Sequence, residues 1–413
     1  MSLYYFKAVV KVLIFVRKTN ESFQILNFIS TFATKMAGLY IHIPFCASRC
    51  IYCGFYSTTL LDLRQQYVDA LCREMEMRSL PPSPSKERGR IDTIYLGGGT
   101  PSQLTIPQLE QLFIYINKVY PLTSHLSPLT SKTEVTIEVN PDDVTPEYAA
   151  ELQRLGINRV SMGAQTYDDQ RLRFLHRRHT SSQVPVAVQR LRNAGIRNIS
   201  IDLMYGFPNE TLNDFEHDID AALALNVEHI SAYCLMIEEG TPLHRMGIEA
   251  CDEETERAMY ELLIDKLTAA GYEHYEISNF ARSGYRSRHN SSYWQDIPYI
   301  GLGAAAHSYI GNRRQWNISD IQQYITAINE GHIPCESELL DDDTHYNDRI
   351  TTALRTSDGL DLSTLSDHYR RYCLQEAQPF IRDGLLRLTD NRLVLTRRGL
   401  FVSDMIMSAL VWA

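Results

Sequence analysis

Six short apolar runs, each followed by a segment of helical period, constrain the fold of this 413-residue chain more than any other feature. The runs are Leu39–Ile43, Thr93–Leu96, Val135–Val139, Arg159–Met162, Ile199–Leu203 and His229–Tyr233. They are short and rich in β-branched residues, so they read as strands. Between or after them, Leu63–Arg78, Ile106–Val119, Pro146–Leu155, Gln183–Asn193, Thr211–Leu225 and Glu254–Ala270 place apolar residues at helical spacing. Strand–helix alternation calls for a parallel sheet, because each crossover helix returns the chain to run in the same direction. Six such units predict an α/β fold, a partial (β/α)6 barrel spanning about residues 36–340. After Asp341 the rhythm stops. Ile350–Leu354, Leu362–Tyr372, Leu386–Leu395 and Arg398–Leu410 predict a small C-terminal helix-and-hairpin domain, winged-helix-like in outline, over 341–413. The polar stretches Ser79–Arg90 and Pro121–Lys132 read as surface loops. Residues 1–35 stand apart: Ala8–Val16 is apolar but broken by Lys11 and too short to span a membrane. Met36 begins a cleaner chain, so 1–35 reads as a mis-assigned start or a loosely ordered extension, with a transit peptide as the third reading.

Composition narrows the class of function. Fifty acidic against 40 basic residues give a net charge of −10, which disfavours a broad electrostatic grip on nucleic acid and favours small ligands or protein partners. Of the eight cysteines, Cys46, Cys50 and Cys53 cluster, while Cys72, Cys234, Cys251, Cys335 and Cys373 are scattered and are given no role. That is not the pattern of a secreted disulfide framework. It reads as a metal or redox site in a reducing compartment, the cytoplasm.

Cys46, Cys50 and Cys53 lie in one loop just after the first strand. A four-iron cluster ordinarily takes four cysteines, so three leave one iron open, where the amino and carboxylate groups of S-adenosylmethionine (SAM) can chelate. Reduction of such a cluster can cleave the sulfonium and release a 5′-deoxyadenosyl radical. The competing reading is zinc, with His42 or another donor completing a tetrahedron, although the x3–x2 spacing is not a usual zinc pattern. Further groups fall at or beyond the carboxyl ends of the predicted strands, where barrels collect their active-site residues. Gly97–Pro101 would let bare backbone approach a ligand. Glu138, Gln165 and Asp202 are polar where a structural strand would be apolar, and Arg177 is placed to reach back to a carboxylate. For each the bland reading is a solvated strand end or, with Arg178, a basic face.

The Cys-x3-Cys-x2-Cys loop behind Tyr40-Ile41-His42-Ile43-Pro44-Phe45, with Gly97–Pro101 and Asp202-Leu203-Met204-Tyr205-Gly206, resembles the radical SAM branch that contains oxygen-independent coproporphyrinogen III oxidases and the HemW haem chaperones. The resemblance covers nearly all of 37–413. It implies a [4Fe–4S] cluster on Cys46, Cys50 and Cys53. It also implies SAM contacts from Tyr40, Tyr52, Gly98, Gly99, Thr100, Glu138, Gln165, Arg177 and Asp202. Two features lean toward the chaperones. Oxidases continue to a fourth cysteine where this chain has Phe55, which puts decarboxylation in doubt. His289-Asn290-Ser291-Ser292-Tyr293-Trp294 resembles the HNxxYW motif of the HemW family, within a porphyrin-site segment near 285–310. An imidazole can ligate haem iron beside flat aromatic area, so His289 is the candidate haem ligand, with Asn290, Tyr293 and Trp294 as its neighbours. His307, in glycine- and alanine-rich surroundings, reads as a packing residue.

Three functions follow from this reading. The favoured one is a haem chaperone that carries a SAM-chelated cluster and passes haem to an acceptor protein, with transient membrane association through that acceptor. The second is an oxygen-independent coproporphyrinogen III oxidase. The third is a radical SAM enzyme acting on another substrate.

Overall fold

The computed structural model describes residues 38–78, 91–120 and 133–412, so the extension 1–35 and the two polar loops lie outside the described residues. Strands β1 (Gly38–Ile43), β2 (Thr93–Gly98), β3 (Glu134–Val139), β4 (Arg159–Gln165), β5 (Asn198–Tyr205) and β6 (His229–Cys234) lie side by side and parallel. The crossover helices are α1 (Arg64–Arg78), α2 (Ile106–Val119), α3 (Pro146–Arg154), α4 (Asp169–Phe174), α5 (Gln183–Asn193) and α6 (Leu212–Ala224), with α7 (Glu253–Ala269) after β6. Their starts are chemically marked. Thr105 and Gln108 form a capping box on α2, as Thr211 and Asp214 do on α6, and each satisfies backbone donors that the first turn leaves free.

Period-two alternation gives each strand two unlike faces. Leu39, Ile41, Ile94, Leu96, Val135, Ile137, Val160, Ile199 and Ile201 join the helices in one apolar core. The alternate positions Tyr40, Thr93, Tyr95, Thr136, Arg159, Ser161, Ser200, His229 and Ser231 are buried too, but polar. The strands are therefore covered on both faces, by helices outside and by a polar interior within.

The sheet is wider than six strands. Beyond β6 lie β7 (Glu273–Glu276) and β8 (Asn279–Ala281), and beyond β1 lie β9 (Tyr299–Leu302), β10 (His307–Ile310), β11 (Arg313–Asn317) and β12 (Cys335–Leu339). The order is β12-β11-β10-β9-β1-β2-β3-β4-β5-β6-β8-β7, open at β12 and β7. Between these added strands are α8 (Arg288–Trp294) and α9 (Ile321–Asn329). The C-terminal segment builds α10 (Asp342–Ala353), β13 (Leu360–Asp361), α11 (Asp367–Arg382), β14 (Leu386–Thr389), β15 (Arg392–Leu395), a helical turn Arg397–Leu400 and α12 (Ser403–Leu410). Its three strands pair in the order β13-β15-β14 around an apolar cluster of its own, including Ile350, Leu362, Cys373, Leu393 and Ile406. Among the described residues no helix is long and apolar enough to cross a membrane.

One buried carboxylate ties the β9–β12 extension to the barrel. Glu74 of α1 has no exposure and accepts from Arg78 Nε (2.8 Å), Gly303 N (2.8 Å), Asn317 Nδ2 (2.8 Å) and Tyr324 Oη (2.7 Å). These donors come from α1, the turn after β9, β11 and α9, so one side chain joins four elements. Removing it leaves three buried donors without their acceptor and takes the carboxylate from a half-buried guanidinium, a loss of the kind that typically costs 3–5 kcal/mol. Glu74→Ala is therefore expected to lower unfolding free energy by about 3 kcal/mol, read as a lower urea midpoint. A loss below about 1 kcal/mol, the range of a surface ion pair, would contradict that role.

Candidate functional site

The loop after β1 is held by backbone bonds at both ends. Cys46 N donates to Thr58 O (2.9 Å), Thr58 N to Pro44 O (2.7 Å), Gly99 N to Ile43 O (2.9 Å) and Thr100 N to Phe45 O (2.8 Å). Its middle is pinned from the other side, with Ile51 N donating to Leu175 O (3.3 Å) and Leu243 N to Ile51 O (3.0 Å). The loop crosses the end of β2 at close range. A Cβ on Gly99 would stand 2.7 Å from Pro44 C and O, and one on Gly98, at φ +116°, would stand 2.5 Å from the His42 ring. The sequence reading gave these glycines to ligand approach. Here the space a side chain would fill is taken by the cysteine loop and His42, while Gly98, Gly99 and Thr100 still reach the wall of the adjoining cavity.

That cavity, about 1010 Å³, opens at the carboxyl ends of β1–β6. Its wall brings together Cys46, Cys50, Tyr52, Cys53, Gly98, Gly99, Thr100, Glu138, Gln165, Arg177 and Asp202, residues scattered over more than 150 positions of sequence. Tyr40 is not among them. It lies deeper in the barrel interior, its hydroxyl 2.9 Å from His42 Nδ1 and its ring stacked on Tyr95. Phe55, where a fourth cysteine was looked for, lines the same wall.

Most polar groups on the wall are held in place by named partners. Tyr95 Oη donates to Glu138 Oε1 (2.8 Å) and Gly98 N to Glu138 Oε2 (3.1 Å). Ser161 Oγ lies 3.2 and 3.3 Å from the two oxygens of Asp202, whose carboxyl is pushed up to about 6 by burial and then by Glu138. Gln165 sits just past a bulge in β4 with φ +68°, a conformation non-glycine residues seldom adopt and one found at binding sites, and its buried Oε1 has no partner. Arg177 was expected to pair with a carboxylate. Instead Nη2 donates to Asn140 Oδ1 and Gly163 O, both at 2.6 Å, and Nη1 lies 3.7 Å from Cys50 Sγ. Its neighbour Arg178 takes the carboxylates, Asp142 and Asp143. Burial raises the Cys46 thiol and pushes the Cys53 thiol up to about 11, so both are protonated until a metal displaces their protons.

The donor set suits a four-iron cluster better than zinc. Both His42 nitrogens are engaged, Nδ1 with Tyr40 Oη and Nε2 with Tyr56 O (3.1 Å), so this histidine is not free to complete a tetrahedron. Among the described residues, no three groups from His, Cys, Asp and Glu converge tightly enough for a single ion. Three thiols spread around a roomy cavity, with an orphaned amide oxygen and a guanidinium at its wall, fit a larger cluster and a polar ligand.

The second motif is elsewhere. His289 lines neither the main cavity nor the other large one, and is 1% exposed, on α8 at the amino-terminal end of the strands. Its Nδ1 is 2.8 Å from Thr93 Oγ1, its Nε2 is 2.7 Å from Tyr293 Oη, and its ring stacks on Tyr95 at 5.1 Å. Glu134, at the start of β3, accepts from Arg288 N and His289 N and fastens α8 to the barrel floor. Burial and then Arg159 depress this imidazole to about 3. In this conformation His289 offers no free nitrogen to iron. Asn290 and Tyr293 are half-buried, and Tyr293 meets Tyr299 edge-on at 4.6 Å. Trp294 is buried under Arg355 (4.9 Å), lines a second cavity of about 830 Å³ beside the C-terminal segment, and has an indole N–H without a partner. His307 packs as expected: its carbonyl oxygen stands 1.9 Å from where a Gly301 Cβ would be.

Sequence reasoning missed Asn140, Ser161, Tyr260 and Phe401 on the main cavity wall. Asn140 follows Glu138 at the end of β3 and could have been found by the same strand-end argument. Phe401, from the C-terminal segment, had no local signal.

Residues 40–222 match the Radical SAM superfamily and residues 340–402 the HemN C-terminal domain. The heme chaperone HemW of Bacillus subtilis is 33% identical over 383 residues, covering 91% of this chain and 99% of that protein. Its namesake in Mycobacterium tuberculosis is 33% identical, covering 91% and 94%. The solved structure of coproporphyrinogen III oxidase (HemN) from Escherichia coli superposes with a TM-score of 0.79 at 22% identity, covering 92% of this chain and 91% of that one, which is a likeness of fold. With the cysteine loop, the polar barrel and its α8 plug all in place, this chain belongs to the HemW family within the radical SAM superfamily.

Proposed function

We propose that the protein is a haem chaperone with two separate sites. At the carboxyl ends of the strands, Cys46, Cys50 and Cys53 hold a [4Fe–4S] cluster. Glu138, Gln165, Arg177, Asp202 and the backbone of Gly98–Thr100 form the pocket for SAM, with Tyr52 against it. Such a cluster, when bound, supplies one electron at the open iron to the SAM sulfonium. The chain's own residues do the positioning: Arg177 braces Cys50 against Asn140 and Gly163, and the Tyr95–Glu138 bond fixes the carboxylate at the cavity floor. Tyr40, expected among the SAM contacts, stands behind this pocket with its hydroxyl at His42 and its ring on Tyr95.

The observation that carries the chaperone reading is the α8 motif on the barrel floor, absorbed neither by the cavity nor by its chemistry. Phe55 adds to it, since an apolar ring takes the place of a fourth thiol. Haem binds at α8 and passes to an acceptor protein. Coproporphyrinogen decarboxylation is the second reading, resting on the fold shared with HemN. The test is anaerobic reconstitution with iron, sulfide and SAM, haem titration by absorbance, and an assay for coproporphyrinogen III conversion. Saturable haem binding without conversion is expected, and SAM-dependent conversion would overturn the chaperone reading.

For His289 to reach iron, its bonds to Thr93 and Tyr293 must break. The low pKa, about 3, keeps the ring neutral across physiological pH while it is buried. His289→Ala is expected to weaken haem binding at least about tenfold, some 1.4 kcal/mol. Thr93→Val, which frees Nδ1, is expected to speed haem uptake. If His289→Ala weakens binding while Thr93→Val leaves the uptake rate unchanged, His289 supports α8 and does not ligate haem.

A further inference from the structure

Two cysteines outside the cluster loop meet beside Gly206, one of them on the wall of the main cavity. Cys234 ends β6, in register with Tyr205 of β5, and lines the cavity. Cys251 stands in coil just before Asp252, the N-cap of α7. In the loop between them Met236 reaches the cavity wall and Met246 is exposed. Both cysteines are free thiols, and both are half-buried, within reach of small solutes.

Gly206 is what lets them meet. The chain turns there at φ +80°, and a Cβ at that position would stand 2.9 Å from Cys234 Sγ and 3.4 Å from Cys251 Sγ. Two sulfurs that crowd one point lie no farther apart than the sum of those distances. Cys251 is in coil, outside any helix or strand, so its backbone is not locked by ladder or helix hydrogen bonds against the adjustment that bonding geometry requires. The surroundings favour a pair that rests reduced. Burial and then Glu256 raise both thiols, and Glu210 adds to the effect on each, so little thiolate is present at neutral pH.

We propose that Cys234 and Cys251 form a reversible dithiol–disulfide pair, oxidised by a glutathione-type disulfide, that closes the loop between them beside the wall of the cluster cavity. One cysteine loses its proton and attacks glutathione disulfide, giving a mixed disulfide and one glutathione thiolate. The second cysteine, losing its proton in turn, displaces the remaining glutathione. Two electrons pass from the pair to the oxidant, and the two protons end on two glutathione thiols. The three cluster cysteines take no part.

The test equilibrates the reconstituted holoprotein anaerobically in a glutathione redox buffer, followed by alkylation, denaturation and trypsin digestion, which cuts at Arg245 between the two cysteines. Expected is a cross-linked peptide pair, lighter by two hydrogens than the reduced peptides. It should be absent in Cys234→Ser and Cys251→Ser, present in Cys335→Ser, and formed faster in Glu256→Gln, where a carboxylate no longer raises the thiols. Recovery of Cys234 and Cys251 as free thiols, or each capped singly by glutathione, in buffers that glutathionylate the exposed Cys335 would overturn the proposal.

Discussion

The cysteine loop can lie where it does because β2 ends in residues without side chains. Pro44 and Phe45 pass so near Gly99, and His42 so near Gly98, that any Cβ would collide. This contact fixes the loop against the second strand and exposes three thiols on one side of the cavity. The opposing wall is set by the parallel register of β2–β5, which delivers Glu138, Gln165 and Asp202 to the same end. Substituting either glycine would displace the loop from its strand, and the wall would lose its geometry before any chemistry could be asked of it.

The two ends of the barrel are joined by a polar interior. Glu138 at the cavity floor bonds Tyr95, Tyr95 stacks on His289, and His289 bonds Tyr293. A buried polar column of this kind is stable only when its members satisfy one another. The contacts that place the cavity's carboxylate therefore also hold α8 against the barrel. The depressed pKa of His289 follows from the same burial, which leaves the ring neutral but covered.

Much of this was legible because the strands alternate so regularly. All six central strands fall within a few residues of where periodicity put them, as do the crossover helices except the short α4, which the reading missed, and the polar strand ends at Glu138, Gln165 and Asp202 do converge. The flanking strands were not legible. Arg313–Asn317 and Cys335–Leu339 are mostly polar, with Trp316 and Leu339 as their large apolar residues, and they form by pairing with neighbours, not by burying an apolar face. Glu74 looked like one more charge on a helix, since nothing local marks the donors that reach it from residues 303, 317 and 324. Arg177 was rightly placed at the cavity but given the wrong partner, because chain distance does not say that Arg178 meets the acidic pair first. His289 was read as a ligand on its motif, while its burial depends on Thr93 and Glu134, far away in sequence.

The separation of the two sites is the central claim, and the distance between haem iron and the cluster measures it directly. Pulsed electron paramagnetic resonance on the reconstituted, haem-loaded protein would report it through the relaxation each paramagnet imposes on the other. Sites at opposite ends of six-residue strands predict a separation of about 20 Å. Haem found in contact with the cluster, inside the main cavity, would contradict the account.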